Sequence, residues 1–196
     1  MAVDIPTSIQ QRIHLYNALE GDLKFKQQVI EAHDLMRQTI SSGGKILIFG
    51  NGGSAAEAQH FAAELVCQFE KKRRALPVIA LTTDTSILTA QSNDIGFETV
   101  FSRQIEALSK KEDLVIGLTT SDVESDYRHS TNILNGFLEA KVKGTSSIGL
   151  FSQKTVNLLR FVDVGVVIPS KDTAIIQEGH LFIIHLLCGL IEDSLF

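Results

Sequence analysis

Between residues 8 and 41, apolar side chains recur at helical spacing: Ile9, Ile13, Tyr16 and Leu19, then Phe25, Val29, Leu35 and Ile40. The spacing predicts two helices divided at Gly21-Asp22, the second ending at Gly43-Gly44. Beyond residue 44 the pattern changes. Short apolar runs at 45–49, 77–81, 114–118, 147–151 and 162–168 predict strands. Helical stretches fall between and after them, at 55–67, 85–92, 97–109, 130–142 and 173–193. Continuously apolar strands are buried on both faces, so the expectation is an α/β fold with a mostly parallel, five-stranded sheet covered by helices. The expected organisation is one domain over 1–196, with the N-terminal helices in 1–43 and the α/β core in 44–196. In such sheets ligands bind beyond the carboxyl ends of the strands, near a topological switch point.

Composition narrows the setting. With 44% hydrophobic and 21% charged residues in 196, the chain has the make-up of an ordinary globular domain. A net charge of -5 argues against a basic nucleic-acid surface, and no such partner is expected. Cys67 and Cys188 lie in apolar stretches without zinc-ribbon or disulfide spacing, and read as two buried free thiols in a reducing compartment. Residues 1–10 show no basic-then-apolar targeting pattern. The most apolar run, 181–190, spans ten residues and contains His185, too short to cross a membrane. A cytoplasmic protein without a membrane partner is expected.

The unusual residues cluster at strand ends. The first strand runs into Gly50-Asn51-Gly52-Gly53-Ser54, whose glycines permit positive φ and close approach of the backbone to a ligand. Ser54 with Glu57 reads as a capping box, which would set a helix N-terminus there, suited to a phosphate. The spacing fits neither a dinucleotide nor a Walker loop, and a plain tight turn is the competing reading. On the next helix His60 and Glu64 share a face. That helix is otherwise small and apolar and is expected to be buried on most sides, where a charged pair must be hydrogen-bonded, metal-bound or catalytic. Gln177, Glu178, His180 and His185 interrupt the last apolar helix. Bare spacing favours Gln177 with His180 as co-ligands, since His185 lies about 12 Å further along the axis than Gln177; it leaves open which histidine faces the site. The run 70–74, Glu-Lys-Lys-Arg-Arg, reads as a solvated helix end, or as a source of a phosphate-binding cation for a neighbouring subunit.

Together, Gly50-Asn51-Gly52-Gly53-Ser54, His60-Phe61-Ala62-Ala63-Glu64, Ser92-Asn93-Asp94, the segment 101–107 and Ile176-Gln177-Glu178 resemble the bacterial phosphoheptose isomerases of the sugar-isomerase (SIS) superfamily. The resemblance covers nearly the whole chain. It implies a flavodoxin-like subunit and a homotetramer with active sites at subunit interfaces. The implied reaction converts sedoheptulose 7-phosphate, the phosphorylated heptose substrate, to D-glycero-D-manno-heptose 7-phosphate for lipopolysaccharide core heptose. It also implies one zinc per subunit, held by His60, Glu64, Gln177 and His185, choosing His185 where spacing leaned to His180. Implied substrate contacts are Asn51, Gly52, Gly53, Ser54, Glu64, Asn93, Asp94, Thr119, Thr120, Ser121, Ser130 and Gln177. Aldose–ketose interconversion needs a base and an electrophile; Glu64 is the base candidate and His185 its acid partner.

The chain departs from the family pattern in places. The segment 122–129 is longer and acidic, with Asp122, Glu124 and Asp126, and 122–128 is expected to be a mobile cover over the phosphate end, with Arg128 or His129 swinging inward on binding. Gln68 and Ile175 stand where the family usually has Arg. The residues 190–196 and 76–82 resemble a different branch, non-catalytic SIS-fold adaptors that bind a replication initiator. That branch lacks the helix Glu and the last-helix His, and this chain keeps both, as Glu64 and His185.

Overall fold

The computed structural model describes residues 4–123 and 130–196. Two helices, α1 (Ile5–Gly21) and α2 (Leu23–Ser41), precede the sheet and share Asp22 as C-cap of one and N-cap of the other. The sheet strands are β1 (Ile46–Gly50), β2 (Val78–Ala80), β3 (Leu114–Leu118), β4 (Ser146–Ser152) and β5 (Val164–Ile168), all parallel, in the order β2-β1-β3-β4-β5. Crossing helices are α3 (Gly53–Val66), α4 (Thr85–Asp94), α5 (Val100–Leu108) and α6 (Thr131–Lys143), and α7 (Thr173–Leu195) closes the chain. This is the flavodoxin-like order, reversing between β1 and β3. The expected five-stranded α/β sheet is what the chain forms.

Burial explains the strand pattern. β1 and β3 are buried at every position, whereas the edge strands β2 and β5 alternate. One core cluster lies under α1, α2, α3 and α7, and a second under α5 and α6. A short 3-10 turn at Leu158–Phe161 escaped the sequence reading, and another at Phe97–Thr99 forms the start of the helical stretch expected at 97–109. Neither turn is long enough to show a period.

Several expectations change. Cys67 is exposed as the C-cap of α3; only Cys188 is buried. Burial, with the charges of Glu64 and Glu192, pushes the Cys188 thiol above its ordinary value, so it packs as a neutral apolar group. The apolar stripe of α1 is left largely outside, with Ile9, Ile13 and Tyr16 exposed while Leu15 and Leu19 enter the core. α7 is the helix expected over 173–193, and it is this whole helix, not the run 181–190 alone, whose length bears on a membrane span. Its 23 residues are long and apolar enough, by length and composition, to cross a membrane. One face lies in the core, with Ile176, Ile183, Ile184, Leu187 and Ile191 fully buried, while Leu181 and Phe182 are exposed.

The run 70–74 is no helix end. α3 stops at Val66, and the chain from there to β2 forms neither helix nor strand. Its fixed point is Glu192 of α7, whose side chain is 1% exposed. The Glu192 carboxylate accepts from the Phe69, Glu70 and Lys71 amides at 2.9, 2.9 and 2.7 Å and from Arg73 Nε at 2.8 Å. Arg73, its side chain fully buried, also donates to the carbonyls of Glu64 and Leu65, capping the end of α3. Desolvation alone would raise the Glu192 carboxyl, but the amides and Arg73 outweigh it and hold it at about 2, below its ordinary 4.5.

A carboxyl depressed by folding stabilises the protein above its unfolded pKa and loses that contribution as pH falls through the folded one. The Glu192 contribution is therefore complete above about pH 4.5 and lost between about 4.5 and 2. Glu192→Gln leaves the Arg73 charge buried without its partner, which should cost about 3–5 kcal/mol at neutral pH. The variant should also show a flatter acid limb in urea unfolding measured from pH 7 to pH 3. Equal stability of the two proteins at pH 7 would contradict the assignment.

Candidate active site at the β1–β3 switch point

The crevice opens where the strand order reverses. Gly52, at φ 54°, turns the chain from β1 into α3 as its N-cap, and no side chain caps that helix. The expected capping box is thus absent. Ser54 lies inside the first turn, buried, and Glu57 points into the fold. The glycine takes the cap position because only it adopts that φ without strain. The helix start is left free of side-chain caps, facing the cavity.

That cavity, of about 270 Å³, is lined by Asn51, Gly53 and Ser54 from the loop, by Leu118 through Ser121 after β3, and by Ser130, Thr173 and Gln177. No Lys or Arg lines it among the described residues. Its polar groups are hydroxyls and amides, a neutral cradle for an anion. Thr119 Oγ1 accepts from the Ser121 amide at 3.1 Å, and Ser121 Oγ lies 3.2 Å from Ser130 Oγ. Ser130, at φ 57°, joins this cluster as the segment returns into α6. Gln177 packs so closely on Gly53 that a Cβ there would stand 1.9 Å from Gln177 Nε2.

The second part of the site lies further along the same two helices. α3 and α7 pack side by side, and His60 and Glu64 of α3 meet His185 of α7. His60 Nε2 is 2.8 Å from His185 Nε2 and 3.5 Å from Glu64 Oε1. One donor atom from each of the three residues lies within 4.8 Å of the others. Two imidazole nitrogens bound to one tetrahedral ion at 2.0–2.1 Å would stand roughly 3.3 Å apart, so small ring shifts would fit a divalent cation here. Two nitrogens and a carboxylate oxygen form a donor set suited to a first-row divalent metal.

Residues 19–152 match the SIS domain family. The phosphoheptose isomerase of Geobacter sulfurreducens is 43% identical to this chain over 196 residues, 100% of each. The chain belongs to the phosphoheptose isomerase family. The solved phosphoheptose isomerase GmhA of Neisseria gonorrhoeae superposes with a TM-score of 0.86 at 35% identity, covering 96% of this chain and 97% of that one. A phosphoheptose isomerase from Francisella tularensis gives 0.88 at 33% identity, covering 96% of each. These relatives bear out the isomerase reading of the sequence rather than the adaptor one.

His180, the histidine that bare spacing paired with Gln177, faces elsewhere. It is fully buried, with Nε2 3.1 Å from the Phe151 carbonyl oxygen and Nδ1 3.5 Å from Glu57 Oε2. Periodicity cannot tell His180 from His185, because both lie on a helix that is apolar nearly all round. Nor is α3 buried on most sides: the His60 side chain is 38% exposed and that of Glu64 23%. Asn93 and Asp94 sit exposed at the end of α4, bonded to each other, and do not line the cavity.

Asn51 is tied down more than the sequence suggested. Its side-chain amide exchanges two 2.8 Å bonds with buried Asn132 of α6, so the loop is braced across the switch point. A single Asn in a helical first turn carries no signal that would have singled out Asn132. Asp122 turns away from the cradle, accepting from the Val156, Asn157 and Leu158 amides at 3.0, 2.7 and 3.1 Å. The rest of the expected cover, with Glu124, Asp126, Arg128 and His129, lies outside the described residues.

Gly53 has no positive φ, so alanine suits its backbone, and the clash falls on the tip of a flexible side chain. Gly53→Ala should therefore leave the melting temperature nearly unchanged and push Gln177 aside. Binding of a sugar phosphate should weaken about 2- to 10-fold, the loss expected for one neutral hydrogen bond. Unchanged affinity by calorimetry would show that Gln177 does not serve the cradle.

Proposed function

We propose that this chain is a zinc-dependent, cytoplasmic aldose–ketose isomerase converting sedoheptulose 7-phosphate to D-glycero-D-manno-heptose 7-phosphate, working as one SIS unit over 1–196 in a homotetramer. The observation that carries the reading is the alignment of a neutral anion cradle with a His–Glu–His cluster along two parallel helices. From Gly53 to His60 is seven residues of helix, about 10 Å of axis, the scale of an extended seven-carbon sugar phosphate. A phosphate in the cradle thus leaves the carbonyl end of the sugar beside Glu64 and His185.

In this reading the hydroxyls of Thr119, Thr120, Ser121 and Ser130 and the backbone at Gly52, Gly53 and Ser54 bind the phosphate, with Asn51 bracing the loop. Glu64 moves the proton between the two adjacent carbons, and His185 handles the proton on oxygen. Glu64 is shared between that role and the metal set of His60, Glu64, Gln177 and His185. Zinc, when bound, supplies Lewis-acid polarisation of the substrate oxygen. The homotetramer is supported by uncovered apolar side chains, Ile9, Ile13 and Ile5 on α1 and Ile87 and Ile95 at α4. A neighbour covering α4 would bring surrounding chain to Asn93 and Asp94, which the cavity of one subunit does not reach.

Turnover of sedoheptulose 7-phosphate, followed by aldose formation, tests the reaction. Glu64→Gln, nearly isosteric, should keep the fold and lower kcat about 100-fold or more; a variant retaining a tenth of wild-type kcat would remove Glu64 from the role of base. Zinc content per chain tests the ligand set separately. His60→Ala and His185→Ala should lose bound zinc, while His180→Ala should keep it at some cost in stability. The reverse pattern would return the site to the one that bare helical spacing favoured.

A further inference from the structure

His185 is half-buried, and among the described residues no hydrogen bond reaches its Nδ1. Metal-ligating histidines usually have that second nitrogen held by a carboxylate or carbonyl, which sets the ring's orientation. Here, besides the 2.8 Å contact of its Nε2 with His60, the ring is held by packing. The Phe69 ring stacks on the imidazole, with centroids 5.4 Å apart and planes 16° from parallel, while the His60 ring meets it edge-on at 5.1 Å.

Phe69 would be a poor support if its segment were loose, since it lies in the irregular stretch after α3. It is not loose. The Phe69 amide is the first of three successive amides on the Glu192 carboxylate, and Arg73 closes that carboxylate from the other side. Glu192 follows His185 by seven residues on α7. Two helical turns return it to nearly the same face, about 10 Å further along. One helix therefore presents both the imidazole and the anion that anchors the ring stacked on it. Through the carbonyls of Glu64 and Leu65, Arg73 also ties the end of α3 to the same clamp.

We propose that Phe69, anchored by the Glu192–Arg73 clamp, is a positioning residue that fixes the His185 imidazole with Nε2 toward His60 and Glu64. This rests on the metal-site reading only for its effect on metal affinity; the effect on ring orientation stands apart from it. The clamp places Phe69, Phe69 sets the His185 ring, and the ring completes the donor set.

Phe69→Leu tests this with little disturbance, because leucine keeps an apolar side chain in the loop and removes only the flat ring. Zinc affinity is read on purified full-length protein by competition with a chromophoric chelator, and the His185 side-chain angles from a crystal structure of the metal-free variant. The expected result is zinc affinity weakened about 10- to 100-fold, a turned His185 ring, a melting temperature within a few degrees of wild type, and recovery in Phe69→Tyr. If wild-type protein takes up no zinc, the metal reading fails while the crystallographic His185 angles still decide the positioning claim. A Phe69→Leu structure with His185 unmoved overturns the proposal.

Discussion

α3 and α7 must both bury an apolar face on the same side of the sheet, and nearly everything about the site follows from how they do so. Phe61 and Leu65 of α3 and Ile183, Ile184 and Leu187 of α7 are fully buried in one cluster. Each such side chain contributes about 1.5–3 kcal/mol by leaving water. That burial sets the rotation of both helices. With both helices starting beyond the carboxyl ends of their strands, Gly53 meets Gln177 at one level and His60 meets His185 two turns further on.

The ionisable groups on these helices meet different surroundings. Glu57 and His180 face each other inside the fold at 3.5 Å without a hydrogen bond between them, and only His180 Nε2 finds a partner, the Phe151 carbonyl. His60, Glu64 and His185 gather on the open side, where solvent or a ligand can reach them. Glu192 is ionised in the core because three amides and a guanidinium converge on it. The anion cradle takes the opposite course and uses no cationic side chain among the described residues. A cradle of this kind binds through directed donors, so its geometry matters more than its net charge.

Much of this was legible in the chain. Continuous apolar runs at each strand meant burial on both faces, and helices between them allowed only parallel connections. The glycine loop stood out because its composition has few uses at a strand end. His60 and Glu64 stood out because four residues on a helix put them on one face. Where reading failed, the reason was usually a partner distant in sequence. Lys72 and Arg74 of the run 70–74 are exposed, as a solvated run would be, but the Arg73 side chain is buried because its partner is Glu192, 119 residues away. Ser54 looked like a cap because a Ser–Glu spacing is a cap when the preceding backbone is ordinary, and here Gly52 has taken the position.

The sequence by itself determined the α/β class, the place of the loop and the pair on α3, since each depends on periods and residue chemistry along a short stretch. Only the tertiary structure decided which α7 histidine joins that pair. On a helix apolar nearly all round, neither His180 nor His185 breaks a pattern, so no local signal marks the facing residue. The choice was made by packing: the rotation that buries Ile183, Ile184 and Leu187 carries His180 inward to Glu57 and turns His185 toward His60.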